Sequence, residues 1–424
     1  MPPLIERCLW TEMAPASAGL AAAVPPERTD VAIVGGGYTG LAAARALARR
    51  GVDVTVLERH SIGWGASSRN GGFVLPGFKP DVEVLARKLG LAEARRLFEL
   101  SKQAVEGLES LVADEAIDCD YTRCGMVVLA ARPGHLVGLE RSRQFLRDQL
   151  GHETTLLTRA DLRREIGSTR YHGGLLDLLA GAVQPARLVE GLARAAAAAG
   201  ARLVEGVEVR GLERRHEGWT VATSAGAILA REVLVATNGY TGPAVPALQR
   251  RVVPVGSYLI ATPPLDPALA ARLVPRRRVL SDTKNLLYYF RLSPDGRMVF
   301  GGRAAFTPTP VARSTEILVR GMVEVFPELA GVPVEYAWGG QVAFTMDQMP
   351  HAGRLEGVHY ALGYGGHGVA MATWLGARMG DALAGAGEIP RLTAPFRAVP
   401  LYGGTPWFLP LVGGYYRVRD GLGW

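Results

Sequence analysis

The sequence predicts an α/β chain with an α+β second domain: a parallel-sheet domain assembled from separated segments, interleaved with a domain on a mixed sheet. Three observations predict it. The order strand, glycine turn, alanine-rich helix, strand runs from Asp30 to Glu58, and "VHYALGYGGHGVAMATWLGARMGDALAG" is again strand, glycine turn, helix from Val358 to Gly385. Between them lies a strand-rich stretch over residues 252–303, which a simple β-α-β succession does not contain. At 424 residues the chain is also too long for one small core.

In order along the chain, residues 1–29 read as an arm, broken by Pro2, Pro3, Pro15, Pro25 and Pro26. Val31 to Val34 is a buried strand, Thr39 to Arg50 a helix, and Val52 to Leu57 a second strand after the Gly51 turn. Residues 81–116 read as two helices, "GMVVLAA" as a strand and 134–150 as a helix. A helix at 185–199, the strand "RLVEGVEV" and the buried strand "EVLVATNG" return to the first architecture. "VVPVGSYLIATP", "NLLYYFRL" and "RMVFGG" are strands of the second domain, the last two joined by the hairpin turn "SPDG". The expected division is an arm over 1–29, a nucleotide domain over 30–80, 152–246 and 337–394, a second domain over 81–151 and 247–336, and a tail over 395–424 that packs on the body.

Composition excludes several classes of function. Apolar residues make up 48% and charged residues 21%, ordinary values for a globular chain. No run approaches the length of a transmembrane helix, and Glu6, Arg7 and Glu12 stand where a signal peptide needs apolar residues, so a cytoplasmic protein is expected. Only four lysines occur, so the net charge of +7 is almost all arginine and reads as genome bias. "PRRRV" has no nucleic-acid-binding motif around it and reads as a solvated loop. Cys8, Cys119 and Cys124 form neither a disulfide framework nor a zinc pattern, and no metal ligands are expected. Nothing in the sequence sets the oligomeric state.

The first glycine turn carries the chemistry. Gly35, Gly37 and Gly40 satisfy G-x-G-x-x-G: a tight turn, close approach of a pyrophosphate to the backbone, and packing of helix on strand. The helix start at Tyr38 and Thr39 supplies free N–H groups and partial positive charge for phosphates. Glu58, ending the second strand beside Arg59, is placed to accept from ribose hydroxyls and disfavours a 2′-phosphate. A Rossmann-like dinucleotide site follows, open to NAD or FAD. Beyond Glu58 a loop containing Gly65, Ala66, Ser67, Ser68, Asn70, Gly71 and Gly72 offers hydroxyl and amide donors to a long ligand. The second turn, with Gly365, Gly366, Gly368 and Val369, opens another helix whose N-terminus suits a group that gains negative charge. A reduced flavin is such a group and a nicotinamide is not, which favours FAD. His367, between those glycines, contacts flavin or substrate or is a hydrogen-bonded structural residue.

These stretches, with "GWGASSRNGG", "GAVQPARLVEGLARAA", "EVLVATNGYTG" and "WGGQVAFTMDQMPHAG", resemble the FAD-dependent D-amino-acid oxidase superfamily, which includes glycine and sarcosine oxidases. "SYLIATPPL", "DTKNLLYYFRLSPDGRMVFGGR" and "LVGGYYRVRD" are most similar to its gamma-glutamylputrescine oxidoreductase-like branch. The resemblance implies oxidation of a C–N bond in a small amine or amino acid: hydride passes to flavin N5, and water hydrolyses the imine. Oxygen or an electron carrier is the implied acceptor. It also implies that Val209 lies on the strand reaching adenine, that Ala236, Thr237 and Asn238 follow the central strand at the cofactor, and that Gly366 to Val369 frame the flavin's pyrimidine edge. Covalent relatives carry a histidine where this chain has Asn70, or a cysteine before the last turn, so the FAD is expected to be non-covalent. Sarcosine oxidases follow their Gly-His-Gly turn with an aromatic and a lysine that helps hold the substrate carboxylate, where this chain has Val369 and Ala370, which argues against an N-methyl amino acid. They also place an oxygen-assisting lysine in the strand matching "RMVFGG", and its absence here leaves a dehydrogenase open beside an oxidase.

Candidate substrate contacts are His367, Tyr288, Tyr258 and Gln341. Tyr288 and Phe290 fall on one face of "NLLYYFRL" and Tyr289 and Arg291 on the other, so one tyrosine can flank an amine while the rest pack a core. Asp347 reads as a hydrogen-bonding structural acid. A NAD-linked dehydrogenase and a non-catalytic FAD-binding subunit are the competing readings.

Overall fold

The computed structural model describes residues 6–14, 24–302, 309–392 and 395–422. The first domain is built on a sheet ordered His351–Leu355, Val358–Leu362, Gly226–Val235, Arg28–Val34, Val54–Leu57 and Arg202–Val204. All neighbours are parallel except the first pair. The order is non-sequential because each parallel connection must cross over through a helix or another domain. Val31 and Ile33 enter the core on one face, and Ala32 enters the core on the other, as alternation along a strand requires. Helices Tyr38–Ala48, Pro185–Ala198 and Gly368–Leu383 cover the first face, with Leu91–Asp114 packed outside them. The antiparallel strands Val209–Arg215 and Gly218–Thr223 cover the other, sealed by Trp219 and Val221.

The first and last of those helices touch along their lengths because glycine removes the side chains between them. A Cβ at Gly376 would collide with the carbonyl of Thr39, and one at Gly380 with that of Ala43. Gly40 packs against the carbonyl of Gly35 in the same way. The two helices, whose first residues Tyr38 and Gly368 lie 330 residues apart in sequence, thereby pack in direct contact, the last one extending about two turns past the level of Thr39 before its own first residue.

The second sheet runs Tyr336–Phe344, Val253–Pro264, Arg297–Gly302, Tyr288–Leu292, Val279–Asp282, Met126–Leu129, Gly174–Asp177 and Thr155–Leu157. It is antiparallel except where Val279–Asp282 meets Met126–Leu129. Helix Val311–Val325 packs one face around Phe290, Phe300 and Phe326. The other face meets the first domain through Leu259, Val299 and Trp338.

The expected domain boundaries need four corrections. Strands Thr155–Leu157 and Gly174–Asp177 pair into the second sheet, so its segment extends past 152 to about residue 178. Strand Tyr336–Phe344 is that sheet's edge, so the last nucleotide-domain segment starts after it and not at 337. The helices Val82–Leu89 and Leu91–Asp114 bury Leu85, Leu97 and Leu108 in the first domain's core, although sequence order suggested the second. Of the expected arm over 1–29, residues 1–5 and 15–23 lie outside the described residues; Leu9–Glu12 form one helical turn with Leu9 and Trp10 buried between the domains, and the first strand begins at Arg28. The tail does pack on the body, through Leu409 against Val253 and Val255, and it contains a helix, Leu409–Leu422, that its Pro-Gly composition concealed. Among the described residues no helix is long and apolar enough to cross a membrane.

Candidate flavin site

The two glycine turns open on one cavity of about 440 Å³. Gly35, Gly37, Tyr38 and Thr39 line it from the first turn, and Gly366, Gly368 and Val369 from the last. Thr39 and Tyr364 join the two turns, their hydroxyls 2.7 Å apart and buried. Asn238, in the left-handed region at φ 46°, accepts from the N–H of Gly363 at 2.9 Å, tying the end of the central strand to the last turn. Ala236 and Thr237 line the same wall.

At one end of the cavity Glu58 is held by two backbone donors, Gly36 and His60, each at 2.9 Å. Arg59, Val209 and Arg210 line this end, with Arg59 3.6 Å from Glu208. At the other end stand Gly65, Ala66, Ser67 and Asn70, facing Gln341 and Val342 of the second sheet. Ser67 accepts from the N–H of Tyr38 at 3.0 Å, so one hydroxyl sits at the start of the phosphate-facing helix. Asn70 donates to the carbonyls of Ala66 and Ser67 and accepts from Gly72, which fixes its loop in one shape.

Tyr38, Tyr240 and Tyr364 line the cavity, and burial raises the ionisation of each phenol above its ordinary value. They remain protonated at neutral pH. No group of three or more His, Cys, Asp or Glu that could hold a metal occurs among the described residues.

Several expected contacts lie elsewhere. Ser68 is buried behind the loop and donates to the carbonyl of Gly63 at 2.7 Å. Gly40, Gly71, Gly72 and Gly365 shape the backbone without lining the cavity; Gly71 passes under the ring of Tyr289, and Gly365 packs beside Lys79. His367 is the half-buried N-cap of the last helix, its backbone N–H bonded to Tyr364, and it is not among the lining residues. Tyr258 and Tyr288 belong to the far face of the second sheet. Tyr258 accepts from and donates to the backbone of Thr309, and Tyr288 packs between Gly321 and Phe300 with the Lys284 ammonium 3.5 Å from its ring. Neither is placed to meet a flavin. The alternation named in the sequence gives the reason: Tyr289 is the neighbour that faces the first domain, 3.0 Å from the Ser257 hydroxyl and edge-on to Phe73.

Sequence reasoning missed Tyr364, Tyr240 and Trp64 as cavity residues. Tyr364 carried a signal, since it stands between an apolar strand and a glycine turn. Trp64 and Tyr240 did not; they meet edge to face at 5.7 Å only through the fold.

The lining fits a flavin dinucleotide. It combines two helix N-termini, a backbone-anchored carboxylate and a hydroxyl-bearing loop around one cavity. The comparisons agree. The chain is 35% identical to the gamma-glutamylputrescine oxidoreductase of Escherichia coli (strain K12) over 399 residues, 93% of each chain. It is 34% identical to the probable oxidoreductase OrdL of Rhizobium meliloti (strain 1021), across 93% of this chain and 92% of that one. A solved glycine oxidase from Geobacillus kaustophilus superposes with a TM-score of 0.75 over 89% of this chain and 100% of that one, at 23% identity, a likeness of fold. Residues 30–382 match the family described as FAD dependent oxidoreductase (DAO). The protein belongs to that DAO family and is an FAD-dependent oxidoreductase.

Proposed function

We propose that this enzyme oxidises the C–N bond of a small amine, with a gamma-glutamylated amine of the gamma-glutamylputrescine kind as the preferred class. What carries this reading is the convergence of both glycine turns on one cavity, with extended similarity to an oxidoreductase of that name over 93% of the chain. FAD bound there supplies the two-electron oxidation. The chain's own part is placement. The backbone at Gly37 and the helix N-terminus at Thr39 would meet the diphosphate, the Tyr38 N–H being taken by Ser67, while Glu58 would meet the adenosine ribose and Ser67 and Asn70 the ribityl and ring portion. The turn at Gly366 to Val369 presents a helix N-terminus where negative charge develops.

The lining tyrosines are held protonated, so they orient and do not abstract a proton. The amine then reacts in its neutral form, and no side chain is required as a base. A dehydrogenase handing electrons to a carrier is favoured over an oxidase, because strand Arg297–Gly302 contains no lysine.

The test is an anaerobic screen of the purified yellow protein against gamma-glutamylated amines, free polyamines, and D- and N-methyl amino acids. Bleaching of the flavin band with gamma-glutamylated amines at the lowest concentration is the expected result. Repeating the hit in air with peroxide detection separates oxidase from dehydrogenase. A flavoprotein that stays yellow throughout the panel overturns the reading.

A further inference from the structure

The helical turn Ala66–Arg69 has only four residues, too few to satisfy its own last carbonyls. Side chains from remote elements do it instead. The Cys8 thiol donates to the carbonyl of Ser68 at 3.1 Å, Trp338 Nε1 to Arg69 at 3.0 Å, and Trp10 Nε1 to Asn70 at 2.9 Å. Arg291 completes the row by donating to the carbonyl of Gly72 at 3.2 Å. These donors form one packed group. The two indoles meet edge to face at 6.3 Å, and the Arg291 guanidinium lies 5.5 Å from the Trp10 ring. Trp10 is itself pinned, fully buried, with its carbonyl accepting from Gln184 Nε2 at 2.7 Å.

The opposite side of this loop is the cavity wall, where Ala66, Ser67 and Asn70 stand. One side of this loop thus faces the cavity while its carbonyls are gripped from behind by an N-terminal segment and by the second domain. A filler would need only apolar bulk there. Two adjacent carbonyls bonded by two indole N–H groups fix orientation as well as volume.

We propose that Trp10 is a positioning residue for the flavin-ring loop: the docked turn Leu9–Glu12, acting with Trp338, sets the geometry in which Ser67 and Asn70 meet FAD. This rests on the assignment of that loop to the flavin. Removing the N–H leaves the part-buried carbonyl of Asn70 without this donor and frees the loop from its set geometry, and the looser seat for FAD is expected to weaken binding about tenfold.

Trp10→Phe keeps the ring and removes the donor; Trp338→Phe does the same one residue earlier from the other domain. Trp219→Phe is the control, because Trp219 is buried in the first domain's far core, away from this loop, and its Nε1 has no hydrogen-bond partner among the described residues. Purified holoproteins are diluted and FAD release is followed by flavin fluorescence, alongside the visible spectrum of the bound flavin. W10F and W338F are each expected to raise the FAD dissociation constant about tenfold and to shift the visible band, with W219F unchanged. Wild-type retention and spectrum in W10F overturn the proposal, as does an equal loss in W219F. Should W10F fail to fold, W338F decides it by the same readings. A colourless wild-type protein would instead defeat the flavin assignment.

Discussion

The hydroxyls of Thr39 and Tyr364 lie 2.7 Å apart in the protein interior, joining residues 325 positions apart in sequence. Thr39 is in the first turn of the first helix, and Tyr364 precedes the turn that starts the last one. Their bond locks together the two helix N-termini that define the cavity.

Breaking one partner is predicted to cost more than removing both. Tyr364→Phe or Thr39→Val alone leaves a buried hydroxyl unsatisfied and lowers stability by about 1–3 kcal/mol, whereas the double variant is close to neutral. Urea unfolding of the FAD-loaded protein as a double-mutant cycle checks this, with a coupling of about 2 kcal/mol or more expected. Strictly additive single changes would show that the bond does not hold the turns.

Tyr289 and Tyr288 are predicted to behave oppositely. Tyr289→Phe removes the partner of Ser257 on the face toward the flavin loop, so it should raise KM or alter the flavin spectrum. Tyr288→Phe changes the helix-packed face, where the ring meets Phe300 and Gly321, and should move stability alone. Steady-state kinetics paired with thermal unfolding separates the two.

Asp347 should make the fold acid-sensitive over a defined window. Burial works against its charge, but bonds from His351 at 3.0 Å, the Met349 N–H and the Thr345 hydroxyl prevail and bring its pKa down from 3.8 to about 2. A carboxylate with a depressed folded pKa contributes stability that is complete above its unfolded value and disappears as pH falls through the folded one. Its contribution is therefore present at neutral pH and is lost between pH 3.8 and about 2. Asp347→Asn should lower the melting temperature at pH 7 and narrow the gap from wild type near pH 2.

With the lining tyrosines protonated, the pH dependence of kcat/KM should follow the substrate's own amine. The neutral fraction of an alkyl ammonium grows about tenfold per pH unit up to a pKa near 10.4, and kcat/KM should rise with it. A plateau near pH 7 in single-turnover reduction would point to a side-chain base.

Local pattern made the nucleotide half of the site legible. G-x-G-x-x-G, the acid ending the second strand and the Gly-His-Gly turn are all short-range signals, because a strand–turn–helix unit is specified by neighbouring residues. Gly35, Gly37, Glu58, Ser67, Asn70, Gly366 and Val369 accordingly all stand at the cavity. The substrate half was not legible in that way. Choosing between Tyr288 and Tyr289 needs the face on which the second sheet meets the first domain, and period-two alternation names the two faces without saying which is which.

By itself the sequence determined the α/β class and the kind of cofactor, which follow from turn chemistry and apolar periodicity within some thirty residues, and it pointed to the family through the resemblance of motifs spread along the chain. Tertiary structure alone decided where residues 82–114 and 152–178 belong, that Trp10 is a core residue, and which tyrosines turn away from the flavin. Those outcomes depend on packing between elements hundreds of residues apart, where apolar burial favours whichever surfaces fit and no local propensity identifies the partner.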